Sequence, residues 1–153
     1  MRALDQSELP TLKVSDVITR SMITISSDAT VLEASKRMVQ ENVGLLVVCD
    51  TNDKAKLVGV VSERDIIRSI VSPGGLPEKV SAITTREVVT VNATADVAEA
   101  AKAMNKHRIR HVVVVDDHNS LKGVVSLRDL VGERATLRAI LQSNEKEVFV
   151  GGD

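Results

Sequence analysis

Two tetrads, Ser62-Glu63-Arg64-Asp65 and Ser126-Leu127-Arg128-Asp129, are where side chains of this sequence could do chemistry together. Each follows Gly-Val-Val and opens what reads as a helix. A serine followed three residues later by an acid is a capping pattern, in which each side chain satisfies an amide of the first turn. Capping does not account for the arginine. A cation at a helix N-terminus opposes the macrodipole by about 0.3–1 kcal/mol, and both copies accept that cost. An aspartate can accept hydrogen bonds from two neighbouring sugar hydroxyls, while an arginine beside helix N-terminal amides favours phosphate. The trio suits a ribose phosphate.

The tetrad occurs twice because the chain contains itself twice. Val-Leu-Glu-Ala-Ser-Lys-Arg-Met at 31–38 returns as Val-Ala-Glu-Ala-Ala-Lys-Ala-Met at 97–104, an offset of 66. The same offset carries Val14-Ser15 onto Val80-Ser81 and Val47-Val48 onto Val113-Val114, whereas residues 59–65 map onto 123–129 at 64. The two extra residues of the first copy fall in the turn-forming stretch 51–56, where length changes are tolerated. Each copy predicts the order β-α-β-β-α. A short strand (22–25; 88–91) precedes a helix (30–41; 96–106) whose apolar positions Val31, Ala34, Met38 and Val97, Ala100, Met104 share one face. Two apolar runs follow, 45–49 with 57–61 and 112–115 with 121–125, read as strands buried on both faces. Asp/Asn/Lys turns join each pair into a hairpin. The glycine of Gly-Val-Val is read as easing a turn. The last helices start at Ser62 and Ser126. Residues 72–77, with Gly74-Gly75 and two prolines, read as a linker. The expected boundaries are an extension 1–13, repeat one 14–72, linker 73–79, repeat two 80–141 and a mobile tail 142–153.

Composition excludes several classes. Hydrophobic residues make up 43% and Phe149 is the single aromatic, so an aliphatic, largely β-branched core is required. A net charge of -1 and the absence of stacking platforms disfavour nucleic acid. No run approaches the roughly 18 apolar residues of a membrane span, and the first ten residues lack an apolar leader core, so a cytoplasmic location is expected. Cys49, alone in an apolar run, reads as a buried structural thiol. His107 ends a helix, where a cation suits the dipole, and His118 reads as a solvated turn residue. No nucleophile–base pair, Walker-type loop or metal-ligand spacing is present, so no enzyme and no cofactor are expected.

The doubled β-α-β-β-α order, with Gly-Val-Val-Ser-x-Arg-Asp closing each copy, resembles tandem CBS domains over about residues 13–141. The resemblance implies an α/β (α+β) fold in which two pseudo-two-fold-related repeats form one CBS-pair (Bateman) module, with clefts between them for adenosine-containing ligands. It implies that Ser62 with Asp65 and Ser126 with Asp129 contact ribose and phosphate. It places Ile18, Ile23, Thr84 and Val89 beside adenine, with the backbone at 43–45 and 109–111 completing the base pocket. Arg110-His111 stands where nucleotide-sensing gamma subunits of the AMP-activated kinase family place basic phosphate contacts, and its counterpart Gly44-Leu45 is uncharged. The expected main site is therefore Ile18, Ile23, Val43, Gly44, Leu45, Arg110, His111, Ser126, Arg128 and Asp129. A weaker second site would use Ser62, Arg64, Asp65, Thr84, Val89 and Ile109. Val47 and Val113 stand where many members have proline, and Ile18 where some nucleotide binders have threonine. The implied function is regulatory: AMP, ADP or ATP binds and signals to a separate regulated protein, with the modules paired as a homodimer through helix faces. S-adenosylmethionine or a related adenosyl ligand is the alternative, and a scaffold or nucleic-acid-binding protein with empty clefts is the alternative of another class.

Overall fold

A computed structural model describes residues 12–18, 22–54 and 56–132. The expected tail, Phe149 and the part of repeat two beyond residue 132 lie outside them. Among the described residues the first copy holds α1 (Val14–Val17), β1 (Thr24–Ser26), α2 (Val31–Glu41), β2 (Leu45–Cys49), β3 (Leu57–Ser62) and α3 (Glu63–Val71). A 3-10 turn (Val80–Ala82) opens the second copy, followed by β4 (Thr90–Asn92), α4 (Val97–His107), β5 (His111–Val115), β6 (Leu121–Ser126) and α5 (Leu127–Val131). Each copy makes a three-stranded sheet, β1-β2-β3 and β4-β5-β6, with the first pair parallel and the hairpin antiparallel. The first strands sit two residues later than the apolar pattern placed their starts.

The central strands are buried on both faces, as unbroken apolar runs require: Leu46, Val47, Val48 and Cys49 in β2, and Val112, Val113 and Val114 in β5. The second strand of each hairpin is different. In β3 and β6, burial alternates, with Gly59, Val61, Gly123 and Val125 inside and Val60 and Val124 half-exposed. These strands lie at the sheet edge, and the face carrying Val60 or Val124 opens onto a cleft.

Each repeat lends its opening segment to the other. Val14, Val17 and Ile18 pack with Ala100, Met104, Val112, Val114 and Val125 of the second copy. Val80 and Ile83 pack with Ala34, Met38, Leu46, Val48 and Val61 of the first. Backbone bonds sew both seams: Val14 N–H to Ala95 O (2.9 Å) and Val97 N–H to Leu12 O (3.0 Å), Val31 N–H to Glu78 O (2.8 Å) and Val80 N–H to Ala29 O (2.9 Å). Val14 and Val80 are fully buried in the exchange; each burial favours the closed pair by roughly 1.5–3 kcal/mol. The repeats seen in sequence are thus not the two packing units.

The glycine of Gly-Val-Val serves this packing rather than a turn. Gly59 lies inside β3, and a Cβ there would sit 2.6 Å from Thr84 Cγ2 and against the Thr85 carbonyl oxygen. Thr85 pairs with Val60 through two backbone bonds of 2.8 and 3.0 Å, adding a bridge to the sheet edge. Gly123 accommodates Ile18 in the same way, with Ile18 Cγ2 3.0 Å from the Cβ position.

Both long helices after the first strands end in the left-handed region, at Asn42 (φ 52°) and Arg108 (φ 53°). Asparagine visits that region at low cost, and arginine does not. Cys49 is buried, and burial raises its thiol pKa, followed by the nearby Asp53 charge, as a structural thiol requires.

Candidate functional site

Both tetrads fold as expected at helix starts. Ser62 and Ser126 are N-caps, and their hydroxyls accept from the Asp65 and Asp129 amides at 3.2 and 3.1 Å. In return Oδ2 of each aspartate accepts the serine backbone N–H at 2.8 Å. The first amide of each helix, Glu63 or Leu127, donates to the carbonyl of Gly44 or Arg110 at 3.0 and 2.7 Å. Among the described residues, these contacts leave over the Oδ1 atom of each aspartate and the Arg64 and Arg128 amides. The capping and ligand readings are therefore compatible, because they use different atoms of the same turn.

The helix starts face two clefts between the repeats. The cleft at Asp129 is about 1320 Å³. Met22, Ile23, Met38, Val43 and Val124 form its apolar wall, and Arg110, His111, Ser126, Arg128 and Glu63 bring polar groups. The cleft at Asp65 is about 430 Å³. Val60, Val88, Val89, Ile109 and Val113 line it, along with Ser62 and a denser set of charges. Those charges are Arg64, Arg68, Arg108 and Arg110 against Glu63, Asp65 and Glu87. Each wall is aliphatic, which can sandwich a purine without an aromatic.

Nine of the ten residues expected at the main site line the larger cleft, and Ile18 is the exception. Five of the six expected at the second site line the smaller cleft, and Thr84 is the exception. The physical reason is the same for both. Ile18 and Thr84 fill the space over Gly123 and Gly59, and Thr84 Oγ1 donates to Val80 O at 2.8 Å. The neighbour Thr85 lines the cleft instead.

The basic pair is also placed differently from its sequence assignment. Arg110 and His111, with Gly44, Leu45 and Glu63, line both clefts. Glu63 reaches over Gly44, its Oε1 3.3 Å from where a Cβ would be, and His111 Cε1 lies 3.6 Å from the same point. Gly44 is thus the gap through which a carboxylate and an imidazole approach each other between the clefts. Burial lowers the His111 pKa below the usual histidine value and outweighs Asp129 and Glu63, which raise it; Arg110 lowers it further. Sequence reasoning did not assign Arg68, Arg108 or Glu87 to a site. The signal for Arg108 was present in the run His107-Arg108-Ile109-Arg110-His111, whose counterpart around Asn42 holds no cation.

His107 ends α4 as expected and also lines the smaller cleft. His118 lies exposed in the β5–β6 turn. Among the described residues, no group of three or more His, Cys, Asp or Glu is placed to hold a metal ion, and no helix is long and apolar enough to cross a membrane.

Comparison with known proteins decides the family. The CBS domain family model matches residues 14–72 and 80–135. This chain belongs to the CBS domain family. A mitochondrial CBS domain-containing protein of Arabidopsis thaliana is 32% identical over 156 residues, covering 95% of this chain and 72% of that protein. A Pyrobaculum aerophilum CBS domain protein solved in complex with AMP is 35% identical with a TM-score of 0.74, covering 86% of this chain and 99% of that one. The CBS domain pair of protein MJ0100, solved with 5′-methylthioadenosine and S-adenosyl-L-methionine, is 28% identical with a TM-score of 0.70, covering 90% and 100%. CBS-pair neighbours therefore include one solved with AMP and one solved with 5′-methylthioadenosine and S-adenosyl-L-methionine.

Proposed function

We propose that this protein is a non-enzymatic CBS-pair sensor that binds an adenine nucleotide in the clefts between its repeats and reports it to a separate regulated protein. One observation carries this reading. In each cleft the capping turn leaves, among the described residues, an aspartate Oδ1, a helix amide and an arginine beside an aliphatic wall. In it, the aspartates take the ribose hydroxyls. The Arg64 and Arg128 turns take the first phosphate. Val43 and Ile109, with their backbones, hold the base. AMP is the leading ligand, with ADP and ATP as competitors, which would make the protein an energy sensor of the cytoplasm.

A second reading concerns the larger cleft. Its charges are balanced and its wall is apolar, and the MJ0100 pair was solved with S-adenosyl-L-methionine. A methylated adenosyl ligand fits such a cleft without phosphate contacts. The homodimer is supported by exposed apolar side chains on α3 and α5: Ile67 (62% exposed), Ile70 (56%), Val71 (81%) and Val131 (51%). A second copy covering these would bury a surface that isolated monomers rarely leave open.

Calorimetric titration with AMP, ADP, ATP and S-adenosylmethionine tests the function. Micromolar binding of a nucleotide, weakened by Asp65→Ala or Asp129→Ala, is the expected result. Heat from S-adenosylmethionine alone would select the second reading. Silence with all four would leave a scaffold. Light scattering of the wild type and Ile70→Glu tests the dimer: a wild-type monomer would refute it.

A further inference from the structure

The smaller cleft holds a charge arrangement that an adenosine site does not need. Arg64, Arg68, Arg108 and Arg110 line a space of about 430 Å³, and among the described residues none of them forms an ion pair within 4 Å. These four cations face three carboxylates, Glu63, Asp65 and Glu87, which leaves the cleft an excess of positive charge that an anion can take up, whereas the larger cleft holds two arginines against two carboxylates. The corresponding wall of the larger cleft holds Asn42 and Gly44 where the smaller one has Arg108 and Arg110.

Arg108 is the informative member. Three non-glycine residues among those described have positive φ: Asn42, Asn119 and Arg108. The two asparagines suit that conformation, and the arginine does not. The α4 C-cap requires positive φ just as the α2 C-cap does, and asparagine fulfils that requirement in the first copy. A residue poorly matched to its backbone that lines a cleft points to a role for the side chain.

We infer that the cleft at Asp65 carries a polyphosphate subsite built by Arg64, Arg68 and Arg108, and that Arg108 sets its preference for di- and triphosphates over monophosphate. This reverses the ranking expected from Gly44-Leu45 and Arg110-His111 alone, and it rests on the adenine-nucleotide reading for the identity of the base. A first phosphate placed by the Arg64 turn extends along the cleft toward Arg68 and Arg108. The larger cleft, without cations at positions 42 and 44, takes ligands with one phosphate or none.

Arg108→Asn tests this, because it installs the first copy's own cap residue and is expected to keep the apo melting temperature at or above that of the wild type. Lys102→Gln, an exposed α4 residue lining neither cleft, controls for loss of one charge. Wild type and variants are titrated with AMP, ADP, ATP and inorganic tripolyphosphate at fixed ionic strength. The expected result is a roughly five- to tenfold loss of ATP and tripolyphosphate affinity in Arg108→Asn, with AMP changed less than about twofold and Lys102→Gln unchanged throughout. Nucleotide binding with the same ATP-to-AMP ratio in wild type and Arg108→Asn would overturn the inference and leave the nucleotide reading standing. Tripolyphosphate binding that depends on Arg108, without nucleotide binding, would uphold the subsite and remove the nucleotide reading. Silence with all four ligands would overturn both.

Discussion

The clefts at Asp65 and Asp129 end on the same capping turn, formed by the same Ser-x-Arg-Asp order and the same hydrogen bonds, but they differ in size and charge. One is about 430 Å³ with four arginines on its wall, and the other about 1320 Å³ with two. What differs is the residues that the partner repeat supplies. Asn42 and Val43 line the larger cleft alone, and Arg108 and Ile109 the smaller alone, while Gly44, Leu45 and Arg110 line both. The turn proposed to take ribose phosphate is the same in both copies, and the opposite wall is not. Two like motifs can therefore serve unlike ligands.

The seams behind the clefts offer the sharpest break of the pseudo-symmetry. Gly59→Ala pushes a methyl against the Thr85 backbone carbonyl, whereas Gly123→Ala meets only the Ile18 side chain. Gly59→Ala is expected to destabilise by about 1–3 kcal/mol and Gly123→Ala by distinctly less, read from urea unfolding midpoints. Equal costs would show that the two seams are equivalent after all.

Next in size is the exchange of aspartates. Asp65→Ala is expected to weaken ATP binding about tenfold or more, and Asp129→Ala to weaken AMP or adenosine similarly. Each also loses a capping box, worth about 1 kcal/mol of stability, so affinity is measured well below each variant's melting temperature. The opposite pairing of variant and ligand would reverse the assignment of the clefts.

Arg110→Ala tests what the clefts share. Because Arg110 lines both, phosphate-bearing ligands are expected to lose several-fold affinity at each. A loss confined to one would separate them fully.

The smallest expected effect is that of pH. The folded-state pKa of His111 lies below its unfolded value because of burial, so the unfolded chain binds the extra proton first. Stability is therefore expected to fall as pH drops below about 6.5, and His111→Gln to flatten that fall. The capping acid Glu33 and the turn acid Asp116, whose pKa values are lowered by backbone hydrogen bonds, lose their contributions only at more acidic pH, which keeps the two windows apart. An identical pH profile for wild type and His111→Gln between pH 7 and 5.5 would assign the imidazole no such role.

Much of this was legible in the chain. The repeat, the order of elements, the hairpins, the caps at Ser62 and Ser126 and the buried Cys49 all follow from local rules: periodicity, turn chemistry and capping act over a few residues. Most of the candidate site was legible too, because motif positions keep their spacing. Ile18 and Thr84 were misplaced because the sequence carries no mark of which side chain fills the space over a distant glycine. Arg68, Arg108 and Glu87 were not assigned because only packing aims an exposed charge into a cleft.

By itself the sequence determined two copies of one element order, an aliphatic core and two identical capping turns, since each depends on neighbours in the chain. Tertiary structure alone decided that Val14 and Val80 are buried in each other's repeat, that Gly59 and Gly123 are seats for Thr84 and Ile18, and that Arg110 and His111 stand between two clefts rather than in one. Those outcomes depend on contacts between residues far apart in the chain, from 25 positions for Gly59 and Thr84 to 105 for Gly123 and Ile18. Such contacts form where surfaces fit and volume is filled, and no local pattern encodes that fit.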